Sequence, residues 1–348
     1  MIAGHKTLII PFFIGTRGCP HRCIFCNERI TAGDASPVSA EGIERMVTEC
    51  LKAKPGEDRS RKRTGTAKAK IAQIAFYGGN FTGLPTDDQV CLLRMAQPYI
   101  ERGLINGIRI STRPDYIDCN RLELLKKWHV TTVEIGAQSL VDDVLAASER
   151  GHSAADVSRA VRLLKAQHVE VGLHLMVGLP GDSREYFYRT VGDVIDLAPD
   201  TVRIHPTLVF QGTPLAEAFY REDYQPLTME AALERCMHAR RRFQAAGIPV
   251  IRLGLQSTPE METPGAVVAG PYHPAFGALV ASADFLDQSF TLLGGRDWHN
   301  RWVTFFVPPR LESAFRGVRN ENLRILTERF HLAGISVTRG ETFCLSDS

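Results

Sequence analysis

The sequence has no apolar run near the roughly 18 residues that a membrane-spanning helix needs. It carries little net charge, 41 basic against 39 acidic residues for +2, which excludes a uniformly basic coat for nucleic acid while leaving room for local patches. The N-terminal run "TLIIPFFI" is short and has no cleavage pattern, so it reads as a strand and not a signal segment. A cytoplasmic, reducing location is therefore expected. There, clustered cysteines bind metal or do chemistry in preference to forming disulfides. Cys50, Cys91, Cys119, Cys236 and Cys344 stand alone and read as small apolar residues. What remains is "GTRGCPHRCIFCNERI", with Cys19, Cys23 and Cys26 spaced C-x3-C-x2-C and no fourth cysteine in reach.

Around that cluster the chain alternates strand-like and helix-like runs. "TLIIPFF", "IAQIAFYGG", "GIRIST", "TTVEIGAQS", "VEVGLHLMVGLPG", "TVRIHPT" and "IPVIRLG" are β-branched and apolar. Between them, Val157, Ala160, Val161 and Leu164 repeat at helical spacing after Ser153. Phe187, Val191, Val194 and Ile195 do so after Ser183, and Met229, Leu233, Cys236 and Met237 after Thr228. Such alternation implies βαβ units on a parallel sheet. The unusual residues fall at one strand end after another: cysteines, "YGGN", "STRPD", "GAQS", "GLPG" and "HPT". Those ends converge on one face only if the sheet curls. The expected fold is α/β, a partial (β/α)6-type TIM barrel over residues 1–254, with a C-terminal α+β extension over 255–348 that caps the barrel.

Two stretches break the rhythm. Residues 52–70 carry eight basic and two acidic residues and read as a solvated loop or an electrostatic contact for RNA. From Arg296 to Gly340 there are eight arginines against four acidic residues, with "RWVTFFV" as an expected strand.

Iron–sulfur cubes usually take four thiolates. Three would leave one iron open, as an open position distinguishes catalytic from structural zinc. The C-x3-C-x2-C loop, with Phe25 before its last cysteine, resembles that of the radical S-adenosylmethionine (radical SAM) superfamily. The resemblance implies a [4Fe–4S] cluster on Cys19, Cys23 and Cys26. It also implies SAM chelating the fourth iron, reductive cleavage to methionine and a 5′-deoxyadenosyl radical, and a flavodoxin- or ferredoxin-type electron donor. A zinc site with His21 is the alternative that soft thiolates leave open.

Gly78, Gly79 and Asn80 of "YGGN" resemble the superfamily's GGE-type motif, which implies contact with the SAM methionine. "STRPDY", "VEIGAQSL", "ERGHS", "HLMVGLPG" and "RIHPTLVFQGTPL" resemble the radical SAM domain of the Elongator catalytic subunit family, which modifies the wobble uridine of tRNA. Two of these segments also resemble oxygen-independent coproporphyrinogen III oxidase. These resemblances imply that Gln138 and Arg150 lie near the SAM ribose and carboxylate. His174 takes the place of a ribose-binding Asp. Ser111 stands where Elongator-type proteins have Glu. Arg113 pairs either with the SAM carboxylate or with Asp115. The Elongator acetyltransferase domain has no counterpart in this sequence, so the complete uridine reaction is not implied. The expected function is thus a radical SAM enzyme acting on tRNA. The alternatives are a small molecule such as a tetrapyrrole or metabolite, with Tyr272 and His273 as pocket residues, or a non-enzymatic zinc or iron–sulfur protein.

Overall fold

The computed structural model describes residues 7–33, 37–52 and 71–347. The basic segment lies, from residue 53 to residue 70, outside the described residues. The chain begins with β1 (Leu8–Phe13), β2 (Ala72–Tyr77), β3 (Gly107–Thr112), β4 (Val130–Gln138), β5 (Glu170–Val177) and β6 (Thr201–Pro206). A two-residue strand, β7 (Val209–Phe210), then leaves the sheet, and β8 (Val250–Leu253) rejoins it. The seven strands pair in the order β1-β2-β3-β4-β5-β6-β8, every pair parallel. Among the described residues β1 and β8 do not pair with each other. The sheet is therefore a curled, open partial barrel, as the strand-end pattern predicts.

Helices cover the outside. Ser153 caps the helix Ala154–Ala166 by accepting from Asp156 N in a complete capping box, which satisfies donors that the first turn leaves free. Ser183 and Thr228 likewise cap Arg184–Leu197 and Met229–Ala245. Alternation along each strand divides the side chains between two faces. Ile10, Ile74, Ile108, Val133, Leu173 and Val202 are fully buried and share one contiguous apolar core with the helix residues Val157, Val161 and Leu164. Each such side chain contributes about 1.5–3 kcal/mol by leaving water. The strand residues on the other face point into the barrel, where the polar groups described below lie.

The extension starts with β9 (Val267–Ala269), antiparallel to β7. The helix Phe276–Leu293 follows, then β10 (Trp302–Val307), β11 (Gly334–Arg339) and β12 (Cys344–Asp347). The central strand β10 is the run "RWVTFFV"; it pairs parallel with β11 and antiparallel with β12. This unit has its own core, in which Phe305 meets Phe315 and Phe343 at ring-centroid distances of 5.0 and 5.8 Å. Asp284 joins it to the barrel's outer helix Met229–Ala245, accepting from Arg240 and Arg241 at 3.0 and 2.5 Å. Of the extension, Leu255, Gln256 and Thr258 line the barrel cavity among the described residues. The helix Phe276–Leu293 packs against the helix Met229–Ala245, where Arg240 and Arg241 meet Asp284.

Removing the Phe305 ring leaves a hole in that separate core. Phe305→Ala is expected to cost about 3–5 kcal/mol by chemical denaturation, with faster hydrogen exchange confined to residues 276–347. Equal loss of protection across β2 to β6 would show that barrel and extension unfold as one unit.

Candidate active site

The loop after β1 is held from several directions before it reaches its cysteines. Gly18 has φ 79° and Gly79 has φ 55°, and a Cβ on either would lie 2.1 Å from Asn80 O or 2.3 Å from Arg17 O. Only glycine permits that backbone approach. Asn80 completes the seam: its backbone N donates to Arg17 O and its Nδ2 to Gly18 O, at 3.0 and 2.9 Å. From the far end of the barrel, Leu215 N donates to Ile24 O and Asn27 Nδ2 to Gln211 O, both at 3.0 Å. Phe25 packs against two apolar groups, one with Val209 and Leu215, the other with Val144 and Leu179. His21 is bonded through Nε2 to the Glu149 carbonyl at 2.9 Å.

So held, Cys19, Cys23, Phe25 and Cys26 line a cavity of about 670 Å³ at the barrel mouth. Burial, followed by Glu28 and Cys23, pushes the Cys19 thiol up to about 11. The same causes push Cys26 up to about 12. Both are neutral thiols until a cation displaces their protons, which is how metal binding couples to ionisation. Arg150 supplies fixed positive charge: Nη1 donates to Cys23 Sγ at 3.0 Å and Nη2 to Gly136 O at 2.7 Å. Three thiols lining one opening suit a multinuclear cluster, in which each thiolate binds a different iron, and His21 Nε2 is bonded to the Glu149 carbonyl.

Gly78, Gly79, Ser111, Arg113, Gln138, Arg150 and His174 also line this cavity. Gln138 ends β4 at φ 66° beside a register shift in the β4–β5 ladder, an irregularity of about 1–3 kcal/mol that turns its side chain off the strand. Arg113 pairs with both oxygens of Asp115 at 3.0 Å. His174 bonds through Nε2 to Glu134 at 2.6 Å.

Three expected contacts are not on the cavity wall. Asn80 is fully buried and faces the other way, its Oδ1 accepting from Thr112 Oγ1 at 2.6 Å and Arg113 N at 3.2 Å. Beside it Glu28 does face the cavity. It accepts from Gly79 N and keeps a buried Oε2 without a hydrogen-bond partner among the described residues. Tyr272 packs with Leu208, Phe210 and Met261 and bonds Ser257 at 2.9 Å. His273 accepts from Ala275 N at 3.0 Å, at the start of the helix Phe276–Leu293. Tyr272 Oη and His273 Nδ1 are thus engaged within the turn.

Sequence reasoning missed the barrel interior. Glu134 on β4 is 1% exposed. It accepts from Arg109 of β3 at 2.6 Å, Arg203 of β6 at 2.9 Å, His174 of β5 at 2.6 Å and Tyr77 of β2 at 3.3 Å. Burial opposes its charge, but His174, Arg203 and Arg109 outweigh that and hold the carboxyl well below the usual range. The signal was a charged residue midway along apolar strands in "GIRIST", "VEIGAQ", "TVRIHP" and "VIRL". In a parallel sheet covered on its outer face, such a residue must point into the barrel.

The family described as "Radical SAM superfamily" matches residues 13–194, more than half of the chain, and "Radical_SAM C-terminal domain" matches residues 199–283. The chain belongs to the radical SAM superfamily of enzymes, whose members bind SAM and a [4Fe–4S] cluster. It is 37% identical over 252 residues to the tRNA uridine(34) acetyltransferase of Methanocaldococcus infernus, covering 64% of this chain and 47% of that protein. It is 33% identical over 255 residues to Elongator complex protein 3 of Saccharomyces cerevisiae, covering 62% and 45%. The chain thus spans about half the length of these relatives. The solved structure of the archaeal Methanocaldococcus infernus Elp3 with an N-terminal deletion superposes with a TM-score of 0.61. It is 22% identical and the match covers 81% of this chain and 63% of that one, which shows the shared fold.

Glu134→Gln is expected to destabilise the protein by about 3–5 kcal/mol at neutral pH, because buried cations lose their counter-charge. A depressed carboxylate pKa stabilises the fold above its ordinary value and loses that contribution as pH falls. The difference between wild type and variant should therefore shrink below the ordinary value of 4.5, as followed by chemical denaturation across pH. A difference that grows on acidification would contradict the assignment.

Proposed function

We propose that this chain is a radical SAM enzyme in which Cys19, Cys23 and Cys26 hold a [4Fe–4S] cluster and a flavodoxin- or ferredoxin-type donor supplies the electron. The observation that carries this reading is three thiols on one pinned loop, opening on a cavity with Arg150 against the middle sulfur. When bound, the cluster and SAM would supply one-electron cleavage of the C5′–S bond, giving methionine and a 5′-deoxyadenosyl radical that takes a hydrogen atom from substrate. The chain's part is positioning. Gly78 and Gly79 bring backbone close to the cofactor's methionyl end. Arg150 balances sulfur charge, and Gln138 and His174 border the ribose region. Ser111 and Arg113 close the side of the cavity between them, with Arg113 steadied by Asp115.

For the substrate we propose tRNA. The relatives named above support this, one of them a tRNA uridine(34) acetyltransferase. The extension adds exposed Arg301, Arg310, Arg319 and Arg339, with Trp302, 58% exposed, next to Arg301 in sequence. Guanidinium groups with an aromatic neighbour suit phosphate contact and base stacking.

Anaerobic reconstitution is expected to load about four irons per chain, and the reduced protein to release 5′-deoxyadenosine from SAM. Cys23→Ala should abolish the release. Uptake of a single zinc, or undiminished release by the variant, would remove the radical reading. Arg301→Glu combined with Arg319→Glu should weaken binding of bulk tRNA and flatten its salt dependence by about one to two units of log K per log[salt]. Filter-binding curves identical to wild type would exclude these arginines from an RNA surface.

A further inference from the structure

At the β6–β8 side of the barrel interior there is more positive charge than Glu134 answers. Arg203 on β6 and Arg252 on β8 are directly paired in register across neighbouring parallel strands, and both line the cavity. Like charges set opposite one another across a ladder are unfavourable. Arg203 is partly answered by Glu134 at 2.9 Å and by Tyr77 Oη, to which its Nη2 donates at 3.1 Å. Its Nε is buried without a hydrogen-bond partner among the described residues. Arg252 has no carboxylate partner among the described residues. It donates only to neutral oxygens, Gly254 O at 3.2 Å and Gln256 Oε1 at 3.3 Å. Burial, then the Arg203 charge, lowers the Arg252 pKa. His205, the next inward residue on β6, cannot answer either cation: burial first pushes it down to about 3, so it is a neutral ring, and its Nδ1 is buried without a hydrogen-bond partner among the described residues.

We infer that Arg203 and Arg252 form a subsite for an oxyanion, the carboxylate or phosphate of a small co-substrate held inside the barrel alongside the RNA substrate. Two planar forks on adjacent strands suit bidentate recognition of such a group. This site is separate from the cofactor's own carboxylate. Arg113 and Arg150, the guanidinium groups beside the cysteines, follow β3 and β4, whereas Arg203 and Arg252 lie at the β6–β8 edge of the sheet. A cavity of about 670 Å³ is the size of small-molecule sites, so the anion belongs to a compact molecule and not to a folded RNA backbone. The subsite rests on the proposed enzyme reading only for its purpose. Its existence is a matter of charge and geometry.

The test is isothermal titration of the full chain with inorganic phosphate and, separately, with acetate. Each titration is run before and after anaerobic reconstitution of the cluster, and with and without excess SAM. Wild type should bind at least one anion saturably in every state. Arg252→Gln should weaken that binding about ten- to a hundredfold, and Arg252→Lys should recover part of the loss, with circular dichroism confirming that each variant is folded. Tighter binding of phosphate identifies a phosphate-bearing ligand, and tighter binding of acetate a carboxylate. Equal affinity in wild type and Arg252→Gln, absence of saturable binding in wild type, or displacement of the anion by SAM would overturn the subsite. Iron uptake with no anion binding removes only the subsite. Anion binding that depends on Arg252 in a chain that takes up no iron removes only the radical reading.

Discussion

One buried carboxylate organises the inside of this barrel. Glu134 receives hydrogen bonds from β2, β3, β5 and β6 while sitting on β4, so five of the seven strands meet at a single charge. An open sheet has no closing ladder to set its curvature. Directional, charge-assisted bonds at short range supply that constraint instead. The same carboxylate orients His174 and Arg203 at the cavity and leaves Arg252 unanswered beside them. Interior shape and interior charge are therefore one property of the fold.

The cysteine loop shows a similar economy of means. Its own turns, Cys19 N to Thr16 O and Cys26 N to Cys23 O, shape it locally but do not anchor it to the barrel. It is positioned by the β2 turn through Asn80 and Gly79, by the Glu149 carbonyl through His21, and by the β7 region through Leu215 and Gln211. These partners lie up to about 190 residues away in sequence and come from strands at opposite sides of the sheet. Curling the sheet is what brings them together. Arg150 then spans from the β4 carbonyl of Gly136 to Cys23, tying the sulfur to the barrel wall.

Much of this was legible beforehand. Local patterns carry over well: the caps at Ser153, Ser183 and Thr228 lie where the periodicity begins, and the strand "RWVTFFV" forms the centre of its sheet. Residues read by position in a motif divide between the cavity wall and buried seams. Gly78, Gly79, Ser111, Arg113, Gln138, Arg150 and His174 face the cavity. Asn80 does not, because a side-chain amide with donor and acceptor can satisfy Gly18 and Thr112 at once when buried. Tyr272 and His273 sit in a turn whose backbone and neighbours take up Tyr272 Oη and His273 Nδ1. Whether a polar side chain faces a cavity or a backbone seam depends on which partners arrive from elsewhere in the chain.

Short-range spacing and residue chemistry already dictate the alternation of strands and helices, the three-cysteine loop and the strand ends that carry it. The assembled fold alone brings Arg109, Arg203, His174 and Tyr77 together on Glu134, turns Glu28 and not Asn80 to the cavity, and sets Arg203 and Arg252 side by side. Those are facts of register and curvature. A strand's period of two assigns each residue to a face, but only the pairing of strands decides which residues across that face share the same charge field.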